Sequence, residues 1–472
     1  MSGDYSLGKR EPNGGEELPL HGWPNAWGRD ARTIIVFVSL FLLLIPVFFA
    51  NAAGTADSEF FETWQKRGES FVLATIESDR VGTPVDAYGL TTPRYDLSSP
   101  YSTADVKGPY STIDLAEVGD KGAQSYSAYE AQLGLMGHLY SVVYQYTPCS
   151  SLRCLHLVSS TLFSLVLVVL VYLLGILTRR SFAVIFLLSI VASPWIVTGA
   201  RNLYWSPWTW LLPVCASALF VLVRGRRWRV ISLVFIFVAF AVRFASGYEF
   251  ITSMSLMAAS VPLLHFVAQK DFRPTLSGLR SAFKDALVIF GVSVASFTSV
   301  LLIHASIRGD GSLVRGLSSI WSEDIQRRTY GLAENFSSSY AESLNADALS
   351  VLKKYIFNWQ TNFITLGGGT PFTITFGPLS FWILISICVL IVAVRFARRD
   401  TLWLRDALLL TVTATIPVSW YLLGKSHSYI HTHINFILWY LFFAAALFYV
   451  IYEYLTTRTP VLRVTSYLTR RN

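Results

Sequence analysis

The sequence predicts an all-α polytopic membrane protein with about ten transmembrane helices and two large loops on the outer side of the membrane. Of its 472 residues, 53% are hydrophobic and only 14% are charged, and the mean hydropathy is +0.46. The apolar residues form long runs, and basic residues gather at alternate ends of these runs. The net charge of +8 therefore reports membrane topology and indicates no nucleic-acid partner.

Most of the apolar runs approach the length of about 20 residues that a helix needs to cross a membrane. The predicted spans cover residues 33–49, 154–177, 182–198, 210–223, 230–245, 253–268, 286–303, 379–394, 407–423 and 435–452. The polar residues 1–32 form a cytoplasmic tail, so we expect the first span to be a retained signal-anchor.

Clusters of Lys and Arg lie at the predicted inner end of the spans, which places both termini in the cytoplasm. The clusters are Arg29 and Arg32; Arg179 and Arg180; Arg224, Arg226, Arg227 and Arg229; Lys270, Arg273, Arg280 and Lys284; Arg395, Arg398 and Arg399; Arg458, Arg463, Arg470 and Arg471. The short third and fourth spans could instead form a re-entrant pair, but the basic residues on both sides favour two crossings. At the inner ends we expect only such simple basic clusters.

The chain then divides into two membrane modules and two outer loops. A module of about seven spans occupies 33–304 and includes the first outer loop, 53–150; the second outer loop is 305–375. A module of about three spans occupies 376–458, before a second cytoplasmic tail at 459–472. The first loop holds thirteen acidic and six basic residues, which favours the outer side.

The four cysteines fall into two groups. Cys215 and Cys388 lie alone in apolar spans, as buried packing residues do. Cys149 and Cys154 lie together on the predicted outer side, where a disulfide would form in an oxidising compartment. A spacing of five residues leaves the pairing open.

Asp57 and Glu59 follow closely on the first span and are the candidate catalytic carboxylates. A general base must be held on a rigid element within reach of the proton that it removes. Asp57 is nearer to the end of the span, which favours it, but the choice between the two stays open. The alternative is structural, because an aspartate before Ser58 can cap a short helix.

Three basic residues from different spans share the predicted outer membrane level: Arg201, Arg243 and Lys425. Such a set could bind a lipid phosphate, whereas each residue alone could reach out to lipid head groups. Arg243 lies inside an apolar run, with Glu249 as a candidate partner.

His427, His431 and His433 follow Lys425 closely. Two of these imidazoles could share a face and hold a divalent metal ion, but no cysteine or acid pair stands beside them as a further ligand. Hydrogen bonding to a sugar or a phosphate is the preferred interpretation, and no metal site is predicted.

Two segments of the outer loops have a recognisable pattern. Residues 126–140 repeat apolar and small residues at helical spacing, which predicts a helix leading into the membrane. Arg327 and Arg328, together with the glycines at 367–369, indicate either a mobile lid that clamps the substrate or an ordinary structural loop.

Four short segments carry a resemblance to a known class. They are Asp57-Ser-Glu59, Gln132-Leu-Gly134-Leu-Met-Gly137, Ala200-Arg201-Asn202-Leu-Tyr204-Trp205 and His431-Thr-His433-Ile-Asn435. With the large loop after the first span, they make the chain resemble GT-C class glycosyltransferases, which use polyprenyl-phosphate sugars. Within the class it looks most similar to the bacterial O-antigen glucosyltransferases that convert serotype.

The resemblance implies an inverting sugar transfer at the periplasmic face of the bacterial inner membrane. Asp57 or Glu59 would be the base. Arg201, Asn202, Arg243, Glu249, Lys425, His427, His431 and His433 would be the substrate- and phosphate-binding residues. The Asp-x-Asp and Trp-Trp-Asp signatures of metal-dependent relatives are missing, so the implied reaction needs no cofactor.

The partners implied are a polyprenyl-phosphate sugar donor, a glycan or lipid-linked acceptor and membrane lipid. A polyprenyl-phosphate glycosyltransferase and a small flippase would supply the donor. The alternatives are a flippase or transporter of a lipid-linked sugar and an O-antigen polymerase or ligase. A transporter would carry ionisable groups at mid-depth in several spans, whereas the charges here lie at the ends.

Overall fold

The structure is a computed structural model, and it describes residues 31–85, 87–94, 125–269, 272, 274–359, 361–367 and 373–458. Both predicted cytoplasmic tails, apart from residues 31 and 32, and most of the glycine-rich end of the second outer loop lie outside these ranges. Within them the chain is mainly helical.

The helices, in chain order, are α1 (Ala31–Ala50), α2 (Ser58–Thr63), α3 (Lys66–Arg80), α4 (Leu135–Tyr146), α5 (Leu152–Leu177), α6 (Arg180–Val191), α7 (Pro194–Gly199), α8 (Trp208–Leu222), α9 (Arg226–Ser246), α10 (Ile251–Val267), α11 (Leu276–Arg308), α12 (Leu313–Ser319), α13 (Gln326–Arg328), α14 (Ala341–Asn345), α15 (Ala348–Phe357), α16 (Pro378–Ala397), α17 (Leu402–Leu423), α18 (Lys425–Ile430), α19 (Thr432–Asn435) and α20 (Phe443–Arg458). Strand β1 (Thr91–Arg94) pairs antiparallel with β2 (Ser125–Ala128), and β3 (Ile364–Leu366) pairs antiparallel with β4 (Ile374–Phe376).

Six of the described helices are long and apolar enough to cross a membrane: α1, α5, α9, α11, α16 and α17. A seventh span is formed if Thr432–Tyr440 and Phe443–Thr457, which meet at a bend of 40°, are counted as one. This confirms a helical protein with several helices that can span a membrane.

The other predicted spans coincide with shorter apolar helices, namely α6, α8 and α10. The predicted span 182–198 is interrupted after α6, because Pro194 has no N–H to donate and Ser193 before it is extended. Ser193 then caps α7 by accepting a hydrogen bond from the Ile196 N–H. A total of ten crossings therefore stays a prediction.

The helices pack around one large apolar core. Helix α8 packs against α5, α9 and α10, and α10 packs in turn against α11 and α17. Helix α20 contacts α6, α16 and α17, while α1 packs along α5 and keeps most of its surface exposed. The exposed part of α1 is apolar, as expected for a helix that faces lipid.

The first outer loop builds its own layer on this bundle. Helices α3 and α4 and the β1–β2 pair enclose a second, smaller core. The helix predicted over 126–140 is wrong in its first half, where β2 pairs with β1, and α4 begins only at Leu135. Gly134, at φ +72°, makes the turn, and a Cβ on Gly137 would lie only 1.5 Å from the Gly89 carbonyl oxygen.

The predicted outer ends of the helices lie together on one side of the bundle, where the first outer loop contacts several of them. The hydrogen bonds that join this side include those from Arg201 to Glu62, from Tyr204 to Glu249, from Trp64 to the His433 carbonyl and between His304 and the Glu130 carbonyl.

The opposite end of the bundle holds a buried ionic network that the expectation of simple basic clusters missed. Asp406 accepts hydrogen bonds from both Arg395 and Arg405. Glu453 accepts from Arg405 (3.1 Å) and from Arg179 (2.7 Å). The network joins α16, α17 and α20 to the turn between α5 and α6. Two acidic residues among these helix ends thus offset part of the basic charge.

Candidate functional site

Asp57 is the N-cap of α2. Its Oδ1 accepts hydrogen bonds from the backbone N–H groups of Glu59 (2.9 Å) and Phe60 (3.3 Å). Its Oδ2 accepts none from the described part of the chain, and both Asp57 and Glu59 are exposed. The cap therefore occupies one carboxylate oxygen and leaves the other open to solvent or to a ligand.

The loop before Asp57 is fixed by short-range hydrogen bonds. The Asn51 side chain accepts from the backbone N–H of Thr55 (2.9 Å) and Ala56 (3.1 Å), and it donates to the Ala56 carbonyl (2.7 Å). Thr55 donates its hydroxyl to the carbonyl of Val191 at the end of α6 (3.0 Å). Asp57 is thereby held close to the end of α1 and beside α6.

A polar cavity of about 580 Å³ opens beside this loop. It is lined by Asn51, Ala52, Gly54, Thr55, Ala56, Asp57, Ser58, Thr361, Asn362, Thr365, Thr373 and Thr375. A larger groove of about 870 Å³ lies next to it, with almost entirely apolar walls formed by α6, α16, α20 and β3. Thr55 and Thr365 line both spaces, so the apolar groove adjoins the cavity that contains Asp57.

Arg201 and Asn202 have partners within the protein. The Arg201 guanidinium donates to Glu62 (3.0 Å) and to the Phe61 carbonyl (2.7 Å). The side-chain oxygen of Asn202 accepts hydrogen bonds from the backbone N–H groups of Tyr204 (3.1 Å) and Trp205 (3.0 Å). Arg201 therefore fixes α2 to the turn after α7, and Asn202 shapes that turn.

Arg243 is buried near the outer end of α9, and Glu249 is its hydrogen-bond partner, as expected, but through the backbone. It donates to the backbone carbonyl of Glu249, and its guanidinium lies 6.0 Å from the Trp210 ring. The Glu249 carboxylate is turned elsewhere and accepts a hydrogen bond from the Tyr204 hydroxyl (3.4 Å). Burial, followed by the charge of Glu249, raises the pKa of Tyr204 well above its usual value.

Lys425 anchors the second outer loop. Its ammonium group donates to the carbonyls of Leu344 and Ala346, both at 2.6 Å, and lies 5.1 Å from the Tyr330 ring. Burial lowers the pKa of Lys425, and the charge of Asp347 partly offsets this. The side chain is therefore committed to the protein in this structure.

The three histidines lie side by side. The ring centres of His427 and His431 are 4.2 Å apart, and those of His431 and His433 are 5.2 Å apart. Burial, then repulsion from neighbouring cations, lowers the pKa of His427 well below its usual value and that of His431 to about 4. Both rings are neutral at pH 7, and each keeps a buried Nδ1 that has no hydrogen-bond partner among the described residues.

Among the described residues, no group of three or more His, Cys, Asp or Glu side chains is arranged to hold a metal ion. The histidines are therefore placed together without a carboxylate or thiolate ligand beside them. Their neutral nitrogens suit hydrogen bonding to a polar ligand.

One side-chain pair was not predicted from the sequence, and a second was left open. Glu69, in α3, accepts hydrogen bonds from His156 of α5 and from the Leu203 N–H, both at 2.9 Å. A histidine inside an apolar span was the available signal, because a buried polar group needs a partner. Cys149 and Cys154, whose pairing the sequence left open, form a disulfide with Cα atoms 5.4 Å apart.

No protein-family model matches the chain, and comparisons with curated proteins and with solved structures give no match either.

Proposed function

We propose that the protein is an inverting glycosyltransferase that moves a sugar from a polyprenyl-phosphate donor to a glycan or lipid-linked acceptor. The observation that carries this proposal is the apolar groove adjoining the polar cavity that contains Asp57. A lipid-linked sugar has this division, with a long apolar chain and a polar head. One wall of the groove is α16, which is long and apolar enough to span a membrane, so a lipid chain could reach the groove from the bilayer.

The reaction needs one base and a site for the leaving phosphate. The acceptor hydroxyl oxygen forms a bond to the anomeric carbon while the bond from that carbon to the phosphate oxygen breaks. The hydroxyl proton goes to the carboxylate of Asp57, and polyprenyl phosphate leaves with the electron pair. The Thr361 hydroxyl and the Asn362 amide can donate hydrogen bonds to the phosphate.

The placement in the membrane is part of the proposal. The site would face the periplasm of a bacterial cell, with both termini in the cytoplasm, because the basic clusters lie at the opposite helix ends. The Cys149–Cys154 disulfide supports an oxidising environment for the first outer loop.

Replacing Asp57 by Asn tests the proposal, because asparagine caps a helix about as well as aspartate but cannot accept the proton. We expect the Asp57→Asn protein to keep its thermal stability and to lose about 10²–10⁴-fold in transfer rate. The assay follows loss of label from polyprenyl-phosphate [³H]hexoses in vesicles supplied with the host's surface glycan. Glu334→Gln, which changes an exposed acid of the second outer loop, is the control.

An unchanged rate in Asp57→Asn would remove Asp57 as the base, and loss in Glu59→Gln alone would transfer the role to Glu59. The second candidate function is a lipid-linked sugar flippase, which the same groove would also serve. Movement of the labelled lipid between leaflets without sugar transfer would favour the flippase.

A further inference from the structure

Gln132 is a buried amide that lies beside the Tyr204 hydroxyl but forms no hydrogen bond of normal geometry in the described part of the chain. It is fully buried, and neither its Oε1 nor its Nε2 has a hydrogen-bond partner in the described part of the chain. Leaving a buried polar group unpaired costs about 1–3 kcal/mol, so native structures rarely keep one without a reason. A ligand that hydrogen-bonds to both the donor and the acceptor of this amide would explain why it is retained.

The unused amide points to the same place as a buried carboxylate. A Cβ added to Gly247 would lie 2.9 Å from Gln132 Oε1 and 2.6 Å from Glu249 Oε2. The Tyr204 hydroxyl, hydrogen-bonded to Glu249, belongs to the same group. An amide, a carboxylate and a phenol that converge on one point are the side chains that commonly bind sugar hydroxyls.

Arg328 adds a positive charge whose strongest electrostatic partner is the Glu249 carboxylate. Asp324 forms ion pairs with Arg308, Arg327 and Arg328, and the one with Arg328 is the longest, at 3.7 Å. Arg327 is further held by the Tyr340 hydroxyl (3.2 Å). Arg328 interacts electrostatically with Glu249 and with Tyr204, so it faces the group around Gln132. Its guanidinium can donate hydrogen bonds to a phosphate or carboxylate group.

The backbone and the aromatic rings next to Glu249 also suit a binding site. Phe250 has φ +63°, a conformation that costs a non-glycine residue free energy and often persists at functional sites. Its ring stacks on Trp205 and contacts Trp420 edge-on. Tyr204 and Arg328 are only half-buried, and so are His427 and His431, which lie close enough to Arg328 to interact with its charge.

We propose that the Glu249 cluster, meaning Gln132, Tyr204, Glu249 and Arg328, binds an anionic saccharide. Gln132, Tyr204 and Glu249 hold the sugar hydroxyls, and Arg328 holds the negative group. In the described structure the cluster shares no residue with the lining of the Asp57 cavity. Naming it the acceptor site rests on the proposed transferase function, whereas the binding itself does not.

The test is equilibrium binding to the full chain in lipid nanodiscs. The probes are the radiolabelled 1-phosphates of glucose, galactose and mannose, with inorganic phosphate for comparison. We expect at least one hexose phosphate to bind, and Arg328→Gln to weaken it at least tenfold, with partial rescue in Arg328→Lys. Arg315→Gln is the matched control, because Arg315 is an exposed arginine of the same outer loop.

Gln132→Met separates a binding role from a structural one. The apolar replacement removes an unpaired buried amide, so we expect an unchanged or higher melting temperature together with weaker hexose phosphate binding and unchanged phosphate binding. Failure of every hexose phosphate to bind would overturn the proposal, as would equal losses in Arg315→Gln and Arg328→Gln. A lower melting temperature with unchanged binding in Gln132→Met would also overturn it.

Two further measurements distinguish a lipid-linked ligand from a water-soluble one and separate binding from transfer. Displacement of the hexose phosphate by polyprenyl phosphate added to the nanodisc would support a lipid-linked ligand, and binding that resists this competitor would support a water-soluble one. Binding that persists in Asp57→Asn would uphold the saccharide site even if the transfer reaction were disproved.

Discussion

Glu69 joins the first outer loop to the membrane bundle through a single carboxylate oxygen. That oxygen accepts hydrogen bonds from the His156 ring and from the Leu203 N–H. Burial by itself raises the pKa of Glu69, but attraction to His156 and the two hydrogen bonds outweigh it, so the pKa lies below 4.5. The carboxylate is therefore more stable in the folded protein than in the unfolded chain.

A pH dependence follows from that lowered pKa. A carboxylate whose pKa is depressed by folding stabilises the protein above its unfolded value, and this contribution is lost as the pH falls through the folded value. We expect the stability advantage of wild type over Glu69→Gln to be full above pH 4.5 and to shrink below it. Thermal unfolding in detergent at several pH values measures this, and a constant difference would contradict it.

At the residue scale, the sequence located charged side chains at the predicted outer helix ends but did not show what they contact. Lys425 and Arg243 stood out as charges at a membrane edge, and both donate to backbone carbonyls. Such carbonyls leave no trace in a sequence, because every residue has one. The Arg201 pairing with Glu62 was equally hidden, since the two residues are 139 positions apart.

At the element scale, hydropathy located the helices because burial in lipid requires long apolar runs. It did not find the break between α6 and α7, where Pro194 interrupts the helix inside a continuous apolar run. It also missed β2, since pairing with β1 depends on a distant partner. The Asp57 cap was foreseen as an alternative, because capping is decided by neighbouring residues.

The ionic network at the inner helix ends makes a prediction about stability. Asp406 is fully buried and pairs with both Arg395 and Arg405. Asp406→Asn leaves two buried guanidinium groups without their shared anion, for which we expect a loss of about 3–5 kcal/mol. Asp285→Asn breaks the partly exposed pair with Arg229 and should cost less than about 1 kcal/mol.

Reversible unfolding of both variants in mixed micelles compares the two losses directly. Equal losses would show that the network does not hold α16, α17 and α20 together. A large loss confined to Asp406→Asn would identify the inner end as a fixed anchor for these three helices.

At the scale of the whole molecule, contacts alone separate the helix ends into two groups. The first outer loop contacts the turns after α7 and α9 and the end of α11, whereas the turn after α5 contacts α20 through Glu453. The basic clusters of the sequence fall on the second group. Charge and packing therefore support the same topology. The distribution of charge can be read from the sequence, whereas the packing requires the structure.

Cysteine labelling tests this orientation. The free thiols of Cys215 and Cys388 are buried, so background labelling in the wild type should be low. Exposed positions exist in both groups: Ser338 in the second outer loop, and Arg227 at the start of α9. With a membrane-impermeant maleimide on intact cells, we expect Ser338→Cys to react and Arg227→Cys to react only after permeabilisation.

Reduction should add labelling of Cys154 from outside, because this residue is only partly buried at the outer start of α5, whereas Cys149 is buried. Labelling of Arg227→Cys in intact cells would invert the topology and with it the proposed side of the site.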